Sequence, residues 1–319
     1  MTPATAPLGA TLDAVAVELA AAVPGGVARD VPAAELSTYR LGGPLAVLVR
    51  VGDDAALARV SEILHVHAPP VLVVGRGSNL LVADRGFAGV GLVLTGDFER
   101  VTIAADGTRV RAGGAVALPV LARRTAAAGV SGLEFFVGIP GSVGGAVRMN
   151  AGGHGRETRD VLVAARVRDL RRPGAGVVVR TVDELALGYR TSAIGPTDVV
   201  IEAEMATRLD AVEACAERID EVVRWRREHQ PGGANGGSVF RNPPGDAAGR
   251  LIEVSGCKGL RVGGAVVSEK HANFFQAEPG ASADDVHRLV ALVQARVAAA
   301  TGVVLQPELV MVGFEDSRR

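Results

Sequence analysis

Two glycine-rich segments carry residue types that bind phosphate groups. They read "GRGSNLLV" at 75–82 and "GIPGSVGGAVRMNAGGHG" at 138–155, and neither contains a lysine. Runs of small residues let successive backbone N–H groups converge on an anion, and hydroxyl and amide side chains add further donors. We expect a helix to begin near Gly145, with a dipole that adds to the attraction. The pattern favours neutral backbone binding of a pyrophosphate, and the alternative is a pair of tight turns.

A third segment, "ANGGSVFRN" at 234–242, surrounds one hydroxyl with backbone freedom and hydrogen-bonding capacity. The two glycines before Ser238 allow the loop to approach a ligand closely. Arg241 and Asn242 follow it and can donate several hydrogen bonds. A Gly-Gly-Ser sequence is more often a simple turn, so residue types alone leave both interpretations open.

Several common site motifs are absent from the sequence. The segment that starts at Gly75 begins like G-x-G-x-x-G, but Leu80 stands at the third glycine position. There is no Walker A lysine motif, no H-E-x-x-H and no G-x-S-x-G. His65 and His67 are two apart on a predicted helix, which puts them on different faces. We therefore expect neither a Rossmann dinucleotide site nor a metal site.

Composition narrows the class of protein. The chain has 319 residues, 48% of them hydrophobic, and a formal net charge of −1. That charge gives no electrostatic reason to expect nucleic acid or an anionic membrane as a partner. Cys215 and Cys257 form no C-x-x-C motif, and the N-terminal segment carries Asp13 and Glu18 within its apolar part. These features predict a reduced cytoplasmic protein without a signal peptide or membrane span.

Local patterns predict mixed helices and strands without a regular βαβ alternation, which indicates an α+β fold. Ser282 and Asp285 form a capping box at the start of one predicted helix. The predicted helices cover residues 11–23, 54–67, 117–128, 209–228 and 283–302. The predicted strands cover residues 46–51, 71–74, 80–82, 90–95, 101–104, 109–112, 161–170, 176–182, 198–207 and 307–314.

Seven segments together resemble one enzyme family. They follow one another in the family's order along almost the whole chain, and their joint presence is highly specific. The segments are "STYRLGGP" (37–44), "VVGRGSNLLVADRGFAGVGLVL" (73–94), "GLEFFVGIPGSVGGAVRMNAGG" (132–153), "LGYRTS" (187–192), "GGSVFRNPPGDAAGRLIE" (236–253), "KGLRVGGAVVSEKHANFF" (258–275) and "LQPELVMVG" (305–313). The sequence is therefore identified as a member of the UDP-N-acetylenolpyruvoylglucosamine reductase family, and it is similar to that family's type II branch.

The resemblance implies a fold, a reaction and a division of the chain. It implies a non-Rossmann FAD-binding domain of the p-cresol methylhydroxylase/vanillyl-alcohol oxidase type and a C-terminal α+β substrate-binding domain. The implied reaction is NADPH-dependent reduction of UDP-N-acetylglucosamine enolpyruvate to UDP-N-acetylmuramate, in peptidoglycan synthesis, by a monomer. We predict FAD-binding subdomains at 1–68 and 69–208 and a substrate domain at 209–307, with a last strand within 308–319 returning to the first subdomain.

Three residues match the family's catalytic positions. Arg190 corresponds to the arginine that stabilises the intermediate, and a guanidinium can grip a carboxylate with two parallel bonds. Glu308 corresponds to the glutamate, which helps a developing enolate only in its protonated form, because a carboxylate would repel it. Ser238 corresponds to the proton donor. A hydroxyl is a weak acid, yet it can donate to a strongly basic carbanion-like carbon if the alkoxide is re-protonated at once.

The resemblance also implies two sets of binding residues. The FAD-binding set is Gly75, Arg76, Gly77, Ser78, Asn79, Leu80, Gly138, Ile139, Pro140, Gly141, Ser142, Gly145, Ala146, Asn150 and Gly152. The candidate substrate-binding set is Tyr189, Arg226, Arg227, Arg241, Asn242, Lys258 and His271. For the charged members of the second set, a solvated surface position is the alternative. His154 departs from the family pattern, because it stands where a tyrosine is common.

Overall fold

The computed structural model describes residues 8–314, and within this range eight α-helices form. Residues 1–7 of the predicted first subdomain and 315–319 of the predicted last strand lie outside the described residues. The helices are α1 (Leu8–Ala22), α2 (Asp54–His67), α3 (Leu118–Ala127), α4 (Val143–Met149), α5 (Val182–Leu185), α6 (Val212–His229), α7 (Ala248–Val254) and α8 (Ala283–Thr301).

Strands alternate irregularly with these helices, which confirms the predicted α+β class. The strands in the first half are β1 (Val27–Pro32), β2 (Pro44–Val51), β3 (Val71–Val74), β4 (Leu80–Val82), β5 (Phe87–Leu94), β6 (Val101–Ile103), β7 (Arg109–Gly113), β8 (Val130–Ser131), β9 (Gly152–Gly153) and β10 (Arg156–Glu157). Those in the second half are β11 (Leu162–Asp169), β12 (Val177–Thr181), β13 (Asp198–Ala206), β14 (Arg208–Leu209), β15 (Ala234–Ser238), β16 (Arg261–Val262), β17 (Ala265–Val267), β18 (Phe274–Ala277) and β19 (Val310–Val312).

Among the described residues, the first of two compact units comprises 8–31, 45–75 and 88–222. It contains a four-stranded sheet in the order β1-β2-β5-β3 and a five-stranded sheet in the order β12-β11-β13-β7-β6. Apolar residues of α1, α2 and these sheets share one buried core. The predicted bounds of α2 are confirmed. The Asp53 side chain caps its N-terminus by accepting the Ala56 N–H at 2.7 Å, and left-handed Ala68 ends it.

The second unit comprises, of the residues that the structure describes, 32–44, 76–87 and 223–314. Its four-stranded sheet has the order β15-β18-β17-β16, and α7 and α8 contribute to a core of their own. The predicted capping box at Ser282 is confirmed at the start of α8. The Asp84 carboxylate, nearly two hundred residues away, also accepts the N–H groups of Ala283 at 3.0 Å and Asp284 at 2.9 Å. It thereby satisfies two further donors at this helix end.

The last strand differs from its prediction. We expected it to return to residues 1–68, but β19 pairs in parallel with β4, at Val310–Leu80, Met311–Leu81 and Val312–Val82. Such a pairing depends on a contact across more than two hundred residues, which no local pattern encodes. The strand is also shorter than the predicted 307–314.

A buried carboxylate anchors residues 212–222, the part of α6 that belongs to the first unit. The Glu134 side chain accepts the Gly132 N–H and the Arg218 Nε–H, each at 2.8 Å, and Arg218 Nη2 also donates to Asp210 at 2.7 Å. Burial alone would raise the pKa of the Glu134 carboxyl. Hydrogen bonds outweigh this effect of burial and hold the pKa of the Glu134 carboxyl below its ordinary value. They come from the backbone N–H groups of Glu134 and Gly132 and from the side chains of Arg218 and Ser131.

This arrangement predicts acid-sensitive stability. For a carboxyl whose pKa is lowered by folding, the stabilisation is complete above the unfolded pKa of about 4.3 and is lost as the pH falls through the folded pKa. Glu134→Gln should lower the free energy of unfolding at pH 7 by about 1–3 kcal/mol and flatten its fall below pH 5. Urea unfolding of both proteins between pH 7 and pH 3 measures this. Parallel curves for the two proteins would contradict it.

Among the described residues, no helix is long and apolar enough to cross a membrane. Within the same range, no cluster of three or more His, Cys, Asp or Glu side chains is arranged to hold a metal ion.

Candidate active site

The strand that ends at Ser238 carries a bulge at its glycines. β15 pairs antiparallel with β18, with Asn235 opposite Gln276 and Ser238 opposite Phe274, and the register shifts between these two pairs. Gly237 lies within the shift at a φ of 74°, a conformation that favours glycine. Bulges often occur beside active sites, where they re-aim a side chain. The two glycines therefore serve a specific backbone geometry at Ser238, not a simple turn.

Residues of the "STYRLGGP" motif support this bulge from within the second unit. The Thr38 hydroxyl donates to the Asn235 carbonyl oxygen at 2.7 Å, and the Asn235 side-chain oxygen accepts the Gly237 N–H at 3.0 Å. The buried Tyr39 ring lies so close to Gly236 that an added Cβ there would stand 2.5 Å from the ring. Sequence reasoning missed this support, although the motif itself was evident.

Glu308 lies on a segment bonded to the one that carries Ser238. Its backbone N–H donates to the Val239 carbonyl oxygen at 2.8 Å, and Phe240 forms an antiparallel bridge with Pro307. The Asn79 amide in turn donates to the Glu308 carbonyl oxygen at 3.1 Å. Both candidate catalytic side chains are half-buried. The structure thus brings two of the three predicted catalytic residues onto adjoining backbone segments.

Asn273 fixes the same segments and was not predicted. Its buried side chain donates to the Phe240 carbonyl oxygen at 2.8 Å and accepts the Phe240 N–H at 2.9 Å, while its own carbonyl accepts the Val239 N–H at 2.9 Å. The sequence offered one signal for this role. In "HANFF" the asparagine stands among apolar residues, and a buried asparagine needs hydrogen-bond partners.

Arg190 belongs to the first unit and occupies the corner of a tight turn. Gly188 and Thr191 exchange backbone hydrogen bonds at 3.1 and 3.3 Å, which leaves Tyr189 and Arg190 at the tip. Arg190 has a φ of 55°, and its guanidinium donates to the Gly152 carbonyl oxygen at 3.4 Å. A non-glycine residue in this left-handed region costs energy and is typical of functional sites.

The second glycine segment is built around Ser142. The Ser142 hydroxyl accepts the Gly145 N–H at 3.4 Å and caps α4, which begins at Val143, two residues before the expected start near Gly145. α4 has only seven residues, so the predicted dipole contribution is not supported. Gly75 lies against Ser142, since an added Cβ would stand 2.5 Å from its Oγ. A Cβ added to Gly138 would stand 3.2 Å from the ring of His154, the residue that stands where a tyrosine is common in the family.

The first glycine segment continues into the second unit. Gly77 has a φ of 60°, and an added Cβ would stand 1.9 Å from the Leu36 carbonyl oxygen, so only glycine fits. Within the described part of the chain, the backbone N–H groups of residues 76–78 donate to no protein acceptor. Successive backbone donors of this kind can bind the oxygens of a phosphate ligand.

Gly75 provides a test of this segment. Gly75→Ala should weaken FAD binding at least about ten-fold, because the added methyl group displaces either the segment or Ser142, at about 1–3 kcal/mol. Titration of apoprotein with FAD, followed by flavin fluorescence, measures it. Gly174→Ala is the matched control, since an added Cβ at Gly174 meets nothing within 4 Å. Equal affinities in both variants would argue against a role for Gly75.

The two arginines at the end of α6 have different surroundings. Half-buried Arg226 donates through Nε to the Gln230 side chain at 2.7 Å. The Arg227 carbonyl oxygen accepts a bond from the Lys270 ammonium, which ties α6 to the 268–273 turn.

Lys258 and His271 also make defined contacts. Lys258 pairs with Glu253 at 2.7 Å. The Nδ1 atom of His271 accepts the Asn273 N–H at 3.2 Å, and its ring packs edge-on against Phe274. Burial, with a smaller contribution from Lys258, holds the pKa of His271 below its ordinary value, so it is neutral at neutral pH.

The remaining substrate candidates follow the Ser238 segment or belong to the 188–191 turn. Arg241 follows Phe240 and donates its N–H to the Gln306 carbonyl oxygen at 2.9 Å, while its buried Nε meets no acceptor among the described residues. Exposed Asn242 accepts the Ala248 N–H at the start of α7 at 3.0 Å. Tyr189 is 45% exposed at the tip of the Arg190 turn.

Comparisons with known proteins agree with this arrangement. Residues 229–312 match the family model described as "UDP-N-acetylenolpyruvoylglucosamine reductase, C-terminal domain", and residues 44–171 match an "FAD binding domain". A relative from Symbiobacterium thermophilum, named UDP-N-acetylenolpyruvoylglucosamine reductase 2, is 42% identical over 289 residues, which cover 90% of this chain and 92% of that protein. The chain belongs to the UDP-N-acetylenolpyruvoylglucosamine reductase family.

Further members of the family support the same assignment. The reductase from Syntrophotalea carbinolica is 41% identical over 283 residues, which cover 88% of this chain and 93% of that protein. The crystal structure of the reductase MurB from Thermus caldophilus superposes with a TM-score of 0.77 at 37% identity, covering 89% of this chain and 98% of that one. The family assignment and the FAD-binding domain predicted from the sequence are confirmed.

Proposed function

We propose that this chain reduces UDP-N-acetylglucosamine enolpyruvate to UDP-N-acetylmuramate in peptidoglycan synthesis, with FAD as cofactor and NADPH as reductant. The observation that carries the proposal is the pairing of the Ser238 and Glu308 segments in a chain of this family. A proton donor and a carboxyl group on hydrogen-bonded backbones suit a reaction that protonates carbon next to a carboxylate.

The glycine segments fit FAD. Gly77 tolerates no Cβ, Gly75 lies against Ser142, and the N–H groups of residues 76–78 can donate to pyrophosphate oxygens. When bound, FAD supplies the hydride chemistry, which belongs to the cofactor. The protein's part is to bind and orient the cofactor and the substrate.

The chain's own residues act on the charge and the proton. After hydride addition to the terminal enolpyruvyl carbon, negative charge spreads over the neighbouring carbon and its carboxylate. Arg190 stabilises this charge with its fixed guanidinium fork. The Ser238 Oγ–H donates its proton to the carbanionic carbon, and a proton from solvent restores the hydroxyl. Glu308, in its protonated form, donates a hydrogen bond to the enolate oxygens.

The other predicted roles complete the proposal. Residues of the 209–307 segment bind the nucleotide and sugar groups of the substrate. Among them is Arg241, whose buried Nε has no hydrogen-bond acceptor within the described part of the chain. Tyr189, at the exposed tip of the Arg190 turn, also contacts the substrate. Residues 1–68 and 69–208 form the FAD-binding part. The enzyme works as a monomer in the cytoplasm, where UDP-sugars and NADPH are available.

Anaerobic stopped-flow absorbance tests the proposal. The FAD-loaded protein is reduced with NADPH and then mixed with UDP-N-acetylglucosamine enolpyruvate. Rapid flavin reoxidation with formation of one UDP-N-acetylmuramate per flavin is expected. If this substrate does not reoxidise the reduced flavin, but oxygen does so while a sugar or an alcohol is oxidised, the protein is an oxidase instead. A protein that takes up no FAD would refute the cofactor assignment.

A further inference from the structure

Asn150, which the family resemblance placed among the FAD-binding residues, uses its side chain within the protein. It is fully buried. Its amide donates to Glu157 Oε2 and to the Gly188 carbonyl oxygen, both at 2.9 Å, and its side-chain oxygen accepts the Arg159 N–H at 3.0 Å. An asparagine has two N–H donors. Both are engaged, so none remains for a flavin.

The backbone of Asn150 is equally specific. Its φ of 40° lies in the left-handed region, where it ends α4. Asparagine tolerates this region better than other non-glycine residues. The residue therefore combines a particular backbone conformation with a particular set of side-chain partners.

One of those partners is the first residue of the Arg190 turn. Gly188 exchanges backbone bonds with Thr191, and between them Arg190 is held at a φ of 55°. A left-handed arginine persists only where its surroundings determine it. The bond from Asn150 to the Gly188 carbonyl fixes one end of the turn.

Two further contacts join the same segments. The Ser192 hydroxyl donates to the Arg148 carbonyl oxygen at 2.7 Å, and Arg190 donates to the Gly152 carbonyl oxygen at 3.4 Å. Residues 148–152 thus run beside residues 188–192, with Asn150 as the buried contact in the middle. Through the Gly188 carbonyl, this contact constrains the backbone turn that carries Arg190.

We propose that Asn150 is a positioning residue that holds the 188–191 turn so that Arg190 meets the developing carboxylate charge. The inference rests on the proposed function, in which Arg190 stabilises that charge. It assigns Asn150 to the substrate half-reaction and not to FAD binding.

Asn150→Asp tests the proposal. The new side chain has the same shape, but it sets a carboxylate oxygen against the oxygens of Glu157 and Gly188. The FAD dissociation constant and the rate of flavin reduction by NADPH should stay within about three-fold of wild type. Flavin reoxidation by UDP-N-acetylglucosamine enolpyruvate should slow by about 100-fold, the effect of misplacing a catalytic group by about 1 Å. Asn150→Gly permits the same φ without the side chain and serves if the aspartate variant does not fold.

A double-mutant cycle separates positioning from general damage. In an Arg190→Ala background there is no guanidinium to position, so adding Asn150→Asp should slow reoxidation by less than about three-fold. A full 100-fold penalty in that background would overturn the inference, and so would FAD binding that weakens in parallel with reoxidation. If the substrate reoxidises the flavin of the wild type and of the Asn150→Asp variant equally fast, the inference is wrong and the proposed function still stands. A wild-type flavin that the substrate does not reoxidise would refute the proposed function, and the inference with it.

Discussion

Ser238→Ala is expected to slow flavin reoxidation by UDP-N-acetylglucosamine enolpyruvate by roughly 10³-fold, within the range of a lost general acid. The hydroxyl has no function before hydride transfer, so FAD affinity and flavin reduction by NADPH should remain within about three-fold of wild type. Rapid mixing of NADPH-reduced protein with the substrate under anaerobic conditions measures the effect directly.

Ser255→Ala is the matched control for this experiment. Ser255 lies in the same unit, and its hydroxyl donates to the Leu251 carbonyl oxygen at 2.7 Å. The same loss of a hydroxyl there should leave both half-reactions unchanged. If Ser238→Ala reoxidises as fast as the control, the proton comes from another donor, although the reductase activity itself would stand.

Arg190→Lys is expected to slow the same half-reaction by about 10²–10³-fold, the loss that follows removal of one preorganised donor of a developing negative charge. Lysine keeps the positive charge but lacks the planar fork that grips a carboxylate with two bonds. Reduction of the flavin by NADPH should be unaffected, and both half-reactions are measured by stopped-flow.

Arg180→Lys controls for the chemical change itself. Arg180 lies in the same unit, where its guanidinium pairs with Asp198 at 3.1 Å and donates to the Ala193 carbonyl oxygen at 3.4 Å, outside the 188–191 turn. Its replacement should leave reoxidation within about three-fold of wild type. An Arg190→Lys variant that behaves like this control would show that the guanidinium fork is not needed for the reduction.

Local signals in the sequence were sufficient where one segment determines its own structure. The bounds of α2 and the capping box of α8 were predicted because capping residues act on N–H groups only a few positions away. The start of α4 was placed two residues late, since Ser142 was not recognised as its cap.

Contacts between distant segments were beyond local patterns. The pairing of β19 with β4, the cap that Asp84 provides for α8 and the support of Ser238 by Thr38 each join residues about two hundred positions apart. The candidate catalytic residues were predicted from the family resemblance, because their residue types alone are equally compatible with turns and surface positions. The roles of Asn150 and Asn273 needed a structure, since a buried amide is explained only by its partners.

The second unit has a consequence for synthesis, because its pieces leave the ribosome far apart in time. Segments 32–44 and 76–87 emerge early, but most of their unit begins only at residue 223. At about 5–20 residues per second, roughly 7–27 s separate the synthesis of residue 87 from that of residue 223. During this interval Tyr39 and Leu81 lack the core that later buries them. The nascent chain therefore carries exposed apolar segments that a chaperone can bind, and the unit around Ser238 is completed only after residue 312 has been made.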